Sequence, residues 1–375
     1  MRKITKSLFS RLYNRIEKWL PGALASILLI AFAGSMMIAV EGCAFSELAS
    51  LNKKEKKPKE IKIAVCIHNE YEEHVWNIVN HMSQWARDKE KETGIMITLD
   101  TVGAKGSQLI QNEKVEKFVA KDYDLLCVNL VDRTDPTEII ERAMDADIPV
   151  IFFNRELVKE DLDRWDKLFY VGAYAEQAGR LQAQIIISAF QDEKKKNEID
   201  VNHNDTLQYV MLEGEPGHQD ALIRTRVVTK ALQEAGISIE KLGAENANWD
   251  EDQAKTKMKA LIERYPFQIE AVIANDDVMA LGVLDALEEA DYPNKPLVVG
   301  VNGSERALEA IRSGKMAGSV LNDAKGQGNA IMELAYSLVT GEEMPQNVRL
   351  KDGKYIYLNY KKITYDNVFE FIKEE

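Results

Sequence analysis

Asparagine, aspartate and their longer relatives gather where apolar runs of this chain end. Asn129 and Asp132 follow one run; Asn154, Arg155 and Glu156 follow the next. Residues 213–220 close a third, Asn275, Asp276 and Asp277 a fourth, and Asn302 and the pair Asn322-Asp323 lie beyond. Carboxamides and carboxylates present paired hydrogen-bonding atoms that match neighbouring hydroxyls. With an aromatic ring over an apolar face they make a pocket for a carbohydrate. A strand-end Asn or Asp also makes ordinary turns, so the set carries more weight than any one member.

Catalytic patterns are missing. A dinucleotide site needs G-x-G-x-x-G after the first strand, but Ile67-His68-Asn69-Glu70 stands there. No nucleophile elbow or P-loop occurs. The pairs Glu72/Glu73 and Asp276/Asp277 have acid–base groups, yet adjacent carboxylates more often bind hydroxyls or cap helices. Five histidines without H-x-x-x-H or C-x-x-C spacing give no transition-metal motif. A sugar-processing enzyme is therefore the weaker reading.

The elements that must position these residues follow from hydrophobic periodicity. Residues 61–67 are apolar and β-branched, and 72–91 carry Val75, Ile78, Val79 and Met82 at helical spacing. Strands are expected at 95–102, 125–131 and 150–153, with helices at 108–120 and 136–146 between them. A second series has strands at 168–171, 207–212, 237–242, 271–274 and 297–301. Its helices fall at 175–190, 220–234, 250–264, 278–290 and 305–312. A strand at 318–321, a helix at 327–338 and a strand at 355–359 close the chain. Near-continuous apolar strands alternating with helices mark parallel sheet covered on both faces. About a dozen strands exceed one doubly wound sheet of usual size, so two α/β lobes are expected. Parallel sheets bind ligands beyond the carboxyl ends of their strands, where the polar set lies.

The chain of 375 residues suits two such lobes. Net charge is −13, and the first 43 residues hold six basic and two acidic side chains, so the remainder is more acidic still. Such a body repels nucleic acid. Cys66 and Cys127 sit in apolar runs and read as buried free thiols, with a disulfide between them as the alternative. At the N-terminus, Arg2, Lys3, Lys6, Arg11, Arg15 and Lys18 precede an uncharged run at 19–40. That is the pattern of an export signal, and the run is also long enough to cross a bilayer. Val40-Glu41-Gly42-Cys43 resembles a bacterial lipobox, so Cys43 is the expected lipidation site, with an uncleaved anchor as the alternative. Residues 44–60, rich in Lys, read as a solvated tether.

Five blocks carry a family resemblance. They are Asn129-Leu130-Val131-Asp132, Phe152-Phe153-Asn154-Arg155-Glu156, Gly214-Glu215-Pro216-Gly217-His218-Gln219-Asp220, Ile273-Ala274-Asn275-Asp276-Asp277-Val278-Met279-Ala280 and Val320-Leu321-Asn322-Asp323-Ala324. In this order they resemble the periplasmic galactose/glucose-binding proteins over nearly all of 61–375. The resemblance implies a type I periplasmic binding protein: two Rossmann-like lobes with parallel-sheet cores, joined by a three-crossing hinge, with a sugar between them. The expected division is 61–148 with 322–357 for the first lobe and 149–321 with 358–375 for the second. His218, Asp220 and Arg224 match the residues that grip the sugar. Positions 220 and 224 lie one helical turn apart, so carboxylate and guanidinium can share a face. Trp249 matches a stacking ring, and Asn129 and Asn322 match two asparagines.

Departures change details. Glu73 stands for the Asp that receives a sugar hydroxyl, and the other stacking position falls on Val75, with Trp76 or His74 as substitutes. Asp276 replaces an Asn, and Asn302 an Asp. The expected ligand is a monosaccharide, galactose or glucose or a related pyranose, which the protein, itself expected to be a monomer, delivers to an ABC permease complex on the outer face of the membrane or in the periplasm. A sugar-sensing ectodomain is the alternative. A repressor of this fold would need an N-terminal helix-turn-helix, where the export signal stands.

Asp200, Asn202, Asn204, Thr206 and Gln208 alternate at the spacing of an EF-hand-like loop, with Asp205 at its sixth position where such loops have Gly. The resemblance implies a Ca²⁺ site here, with the Thr206 backbone carbonyl among its ligands and Glu270 supplying the distant carboxylate.

Overall fold

The computed structural model describes residues 58–346 and 348–372. The export segment, Cys43 and most of the tether lie outside them. The chain runs β1 (Glu60–Ile67), α1 (Glu73–Thr93), β2 (Met96–Gly103), α2 (Gln108–Val119), β3 (Leu125–Val128), α3 (Thr137–Asp145), β4 (Val150–Phe153), α4 (Lys159–Leu162) and β5 (Leu168–Ala173). It continues through α5 (Ala175–Phe190), α6 (Glu193–Ile199), β6 (Thr206–Glu213), α7 (Gln219–Glu234), β7 (Ser238–Asn246), α8 (Glu251–Arg264) and β8 (Ala271–Ala274). Next come α9 (Asp277–Glu289), β9 (Leu297–Val299), α10 (Glu305–Arg312), β10 (Gly318–Leu321), α11 (Ala324–Thr340), β11 (Tyr355–Leu358) and β12 (Lys361–Thr364).

These strands form two six-stranded sheets, β2-β1-β3-β4-β5-β11 and β7-β6-β8-β9-β10-β12. The first is parallel throughout. The second has one antiparallel ladder, between β10 and β12. The chain crosses between lobes three times: from β5 to α5, from β10 to α11, and from β11 to β12. The expected division at 148/149 moves accordingly. β4 pairs with β3 (Leu126 opposite Val150) and β5 with β4 (Val150 opposite Leu168), so both strands belong to the first lobe. Their fully buried run needs a neighbour on each edge, and a βα repeat carries no mark of which sheet a strand joins. Leu358, expected in the second lobe, pairs with Ala173 in the first.

Each sheet is covered on both faces. In β1 the residues Ile61, Ile63, Val65 and Ile67 pack against α1 and α11, while Ala64 and Cys66 face the opposite core. Cys127 lies on the α1 side and Cys66 on the other, so the two free thiols sit on opposite faces of the sheet. Helix α1 buries Val75, Ile78, Val79, Met82 and Ala86, the stripe expected of period 3.6. Helix α11 returns from the second lobe to lie on α1, and Gly328 permits that approach. A Cβ at Gly328 would stand 2.7 Å from the Ile78 carbonyl oxygen.

Gly328→Val is therefore expected to push α11 off α1 and to cost about 1–3 kcal/mol. The urea unfolding midpoint should fall, and an unchanged midpoint would show that the two helices yield freely.

Candidate functional site

The carboxyl ends of both sheets face one cleft. In the first lobe Asn129, fully buried at the end of β3, ties three strand ends together. Its Oδ1 accepts from His68 Nδ1 at 2.7 Å, and its Nδ2 donates to the Phe153 carbonyl at 3.3 Å and to Asn154 Oδ1 at 3.0 Å. Glu72 stands at the entry to α1, with Oε2 3.2 Å from His68 Nε2 and 4.0 Å from Arg155 Nη2. Burial raises the Glu72 carboxyl above its ordinary range and pushes His68 down to about 4.

In the second lobe α7 begins beside the cleft. Arg224 is buried, and its Nη2 donates to Asp220 Oδ2 at 3.1 Å and to Tyr360 Oη at 3.0 Å, while Nη1 donates to the Asn275 carbonyl at 3.0 Å. The one-turn spacing of Asp220 and Arg224 thus puts both on one face. Trp249, in a left-handed conformation (φ 63°), sets its ring edge-on to His218 at 5.0 Å between centroids. Gly214 makes room, because a Cβ there would run into the Trp249 ring. Asp276 caps α9 by accepting from the Met279 N–H at 2.9 Å, and burial lifts its carboxyl to about 8.

Between these walls lies a small, tight cavity lined by Glu72, His74, Asn154, His218, Asp220, Arg224, Trp249, Asp276, Asn302 and Asn322. Every lining residue is polar or carries a polar ring atom. Asn322, at the second crossing, has its Nδ2 2.7 Å from His74 Nε2 and accepts from Gln327 Nε2 at 2.7 Å. Burial, reinforced by Arg224, holds His74 down to about 3, so Nε2 accepts. Asn154 (φ 63°) and Asn302 (φ 118°), like Trp249, have positive φ, and strained backbone of this kind concentrates at functional sites.

Four buried polar atoms of the wall have no hydrogen-bond partner: Glu72 Oε2, His218 Nδ1, Arg224 Nε and Trp249 Nε1. Buried polar groups are normally paired, and orphans of both signs in one cavity match a ligand whose groups both donate and accept.

The expected sugar residues distribute as follows. His218, Asp220, Arg224, Trp249, Asp276, Asn302 and Asn322 are brought together in the cavity wall. Asn129 lies behind it, holding Asn154 and His68. Glu73 is outside the wall and exposed, and its neighbour Glu72 takes the place, because α1 starts one residue later than the sequence suggests. Trp76 turns away to a separate groove with Glu70 and Lys105, and its indole N–H donates to the Glu70 carbonyl. Val75 is fully buried in the core. Glu72, His74 and Asn154 complete the wall. Asn154 belongs to the strand-end set, and His74 to the segment of displaced aromatics.

The 200–208 loop folds around two buried carboxylates. Glu270 accepts from the Val201 and Gln208 N–H groups at 3.0 and 2.8 Å, and Asp200 from those of Asn204 and Asp205, both at 3.0 Å. Asp205, at the turn position, adopts φ 59°. Asn202 Nδ2 donates to Gln208 Oε1 at 2.8 Å, a bond that a metal ligated by that oxygen would replace. The donors are all hard oxygens and fit Ca²⁺ by type. Only two are carboxylates, and no cluster of three or more His, Cys, Asp or Glu suited to a metal occurs among the described residues.

Among the described residues no helix is long and apolar enough to cross a membrane. Residues 63–343 match the periplasmic binding protein domain. The chain is 33% identical over 299 residues to the D-galactose/methyl-galactoside binding periplasmic protein MglB of Haemophilus influenzae, covering 78% of this chain and 88% of that one. It is 30% identical over 266 residues to a putative rhizopine-binding protein of Rhizobium meliloti, covering 70% and 78%. An ABC transporter solute binding protein of Bacillus halodurans with bound myo-inositol superimposes with a TM-score of 0.68 at 26% identity, covering 85% and 99%. The two-sheet architecture, the three crossings and these matches agree, and the chain belongs to the periplasmic binding protein family.

Proposed function

We propose that the chain captures one sugar ring outside the cytoplasm and presents it to an ABC permease, without chemical conversion. The observation that carries this reading is the set of orphaned buried donors and acceptors around the cavity, contributed by both lobes. A pyranose or cyclic polyol has hydroxyls that donate and accept in turn, and an apolar ring face for Trp249. The named ligands of the relatives, galactose, methyl-galactoside and myo-inositol, are of this type. Glu72, His74 and Asn154 belong to the first lobe, and the grip of His218, Asp220, Arg224 and Trp249 to the second. A ligand that meets both only when they close favours the closed form by its differential affinity, which lets a permease read occupancy without a reaction.

Two further elements belong to this reading. Lipidation at Cys43 would hold the protein to the outer face of the membrane, with 44–60 as the tether. Ca²⁺ held by Asp200, Asn202, Asn204, Gln208, Glu270 and the Thr206 carbonyl would brace the start of β6 against β8 and neutralise the two carboxylates buried there.

Titration calorimetry of a sugar first found by thermal shift tests the pocket. Asp220→Ala leaves a buried guanidinium short of a partner, and a loss of about 2–4 kcal/mol of binding is expected. Trp249→Ala should weaken binding as well. Val75→Ala, a core change, should lower stability by about 1 kcal/mol and leave affinity nearly untouched. Wild-type affinity in both Asp220→Ala and Trp249→Ala would place the sugar elsewhere.

Chelator treatment tests the metal. The melting temperature of the wild type should fall on Ca²⁺ removal and recover on its return, and Glu270→Gln should lose that response. A fully stripped protein with unchanged melting would exclude the site.

A further inference from the structure

A larger groove opens beside the sugar cavity. It is the roomier of the two spaces. Both lobes line it, with residues 131–134, 155 and 156 from the first and residues 215–220 from the second. His218 and Asp220 belong to both walls, so the two spaces adjoin at these residues.

The groove is built for a polar occupant. Arg155 is only 7% exposed. Its Nη1 donates to the Val131 carbonyl at 3.0 Å, and its Nη2 bridges the lobes to Glu215 Oε2 at 2.7 Å. Its Nε has no acceptor, and Gln219 Oε1, buried at the start of α7, has no donor. Two residues that line the groove thus each hold one buried polar atom without a partner. Leaving such atoms unpaired is costly, and a hydroxylated ligand reaching past the ring would relieve that cost.

Charge decides the class of that occupant. Two guanidiniums, of Arg133 and Arg155, face four carboxylates in the same lining. An anionic substituent such as a phosphate would meet net repulsion. A neutral group rich in hydroxyls can donate to the carboxylates and accept from the guanidiniums.

We propose that this groove is a subsite for a second, neutral hydroxylated ring, so that the protein takes a disaccharide or polar glycoside whose first ring fills the cavity. The proposal rests on the sugar-binding reading of the cavity. The second ring leaves the first on the side nearest His218 and Asp220 and meets Arg155 Nε and Gln219 Oε1.

Calorimetry on the purified full chain tests it with D-galactose and D-glucose as single rings and lactose, melibiose, maltose and cellobiose as two-ring ligands. At least one two-ring sugar is expected to bind within tenfold of its better single ring or more tightly. Gln219→Ala should weaken that two-ring sugar at least fivefold and leave the single ring within twofold. Single rings that bind while every two-ring sugar is more than tenfold weaker would overturn the subsite and leave the proposed function standing. Equal weakening of both ligands by Gln219→Ala would also overturn it. Failure of all six sugars to bind would instead count against the sugar-binding reading itself.

Discussion

The structure turns on one buried cation. Arg224 lies at the root of the cleft, and a guanidinium removed from water must find acceptors or it destabilises the fold. Its partners come from three places: Asp220 one turn earlier on α7, the Asn275 carbonyl at the end of β8, and the Tyr360 hydroxyl at the third crossing. Helix, sheet and hinge are thereby fixed to one another around a single side chain. Its Nε is left to the cavity, so the group that organises the second lobe is also one that a ligand would satisfy.

Burial sets the protonation of the other walls. It lifts Asp276 to about 8 and raises Glu72 and Asp220, while it holds His68 and His74 neutral. The cavity is therefore less charged than its composition suggests. Neutral imidazoles and the Asp276 carboxyl, lifted to about 8, supply donors and acceptors without a strong field, which suits an uncharged polyol better than an ion. Asp276 combines two roles, since it caps α9 with one oxygen and lines the cavity.

Much of this is legible in the sequence. The βα alternation shows in apolar periodicity, and the polar strand ends locate the cleft because parallel sheets present their ligands there. Asp220 and Arg224 are readable as a pair from helical spacing alone. The resemblance to galactose/glucose-binding proteins agrees with the family match and with the relative from Haemophilus influenzae. What the sequence hides is register and partnership. Helix α1 has no Ser, Thr, Asp or Asn cap, and its N-cap Glu72 makes no capping bond. Its start is therefore unmarked, and a one-residue slip exchanges Glu73 for Glu72 in the wall. Trp76 leaves the site because its indole is anchored to the Glu70 carbonyl, a contact no periodicity reports. β4 and β5 join the first sheet through pairing with β3, which a local pattern does not encode. Short β12 is missed because four residues, one fully buried, leave almost no signal.

The central claim is that sugar closes the cleft by meeting polar atoms on both lobes at once. It is tested most directly by the distance between spin labels on Leu109→Cys of α2 and Leu222→Cys of α7, two exposed positions on opposite lobes, in a Cys43→Ser background. With a sugar that binds, the distance distribution should shorten and narrow. A sugar that binds with full occupancy and leaves the distribution unchanged would contradict the account.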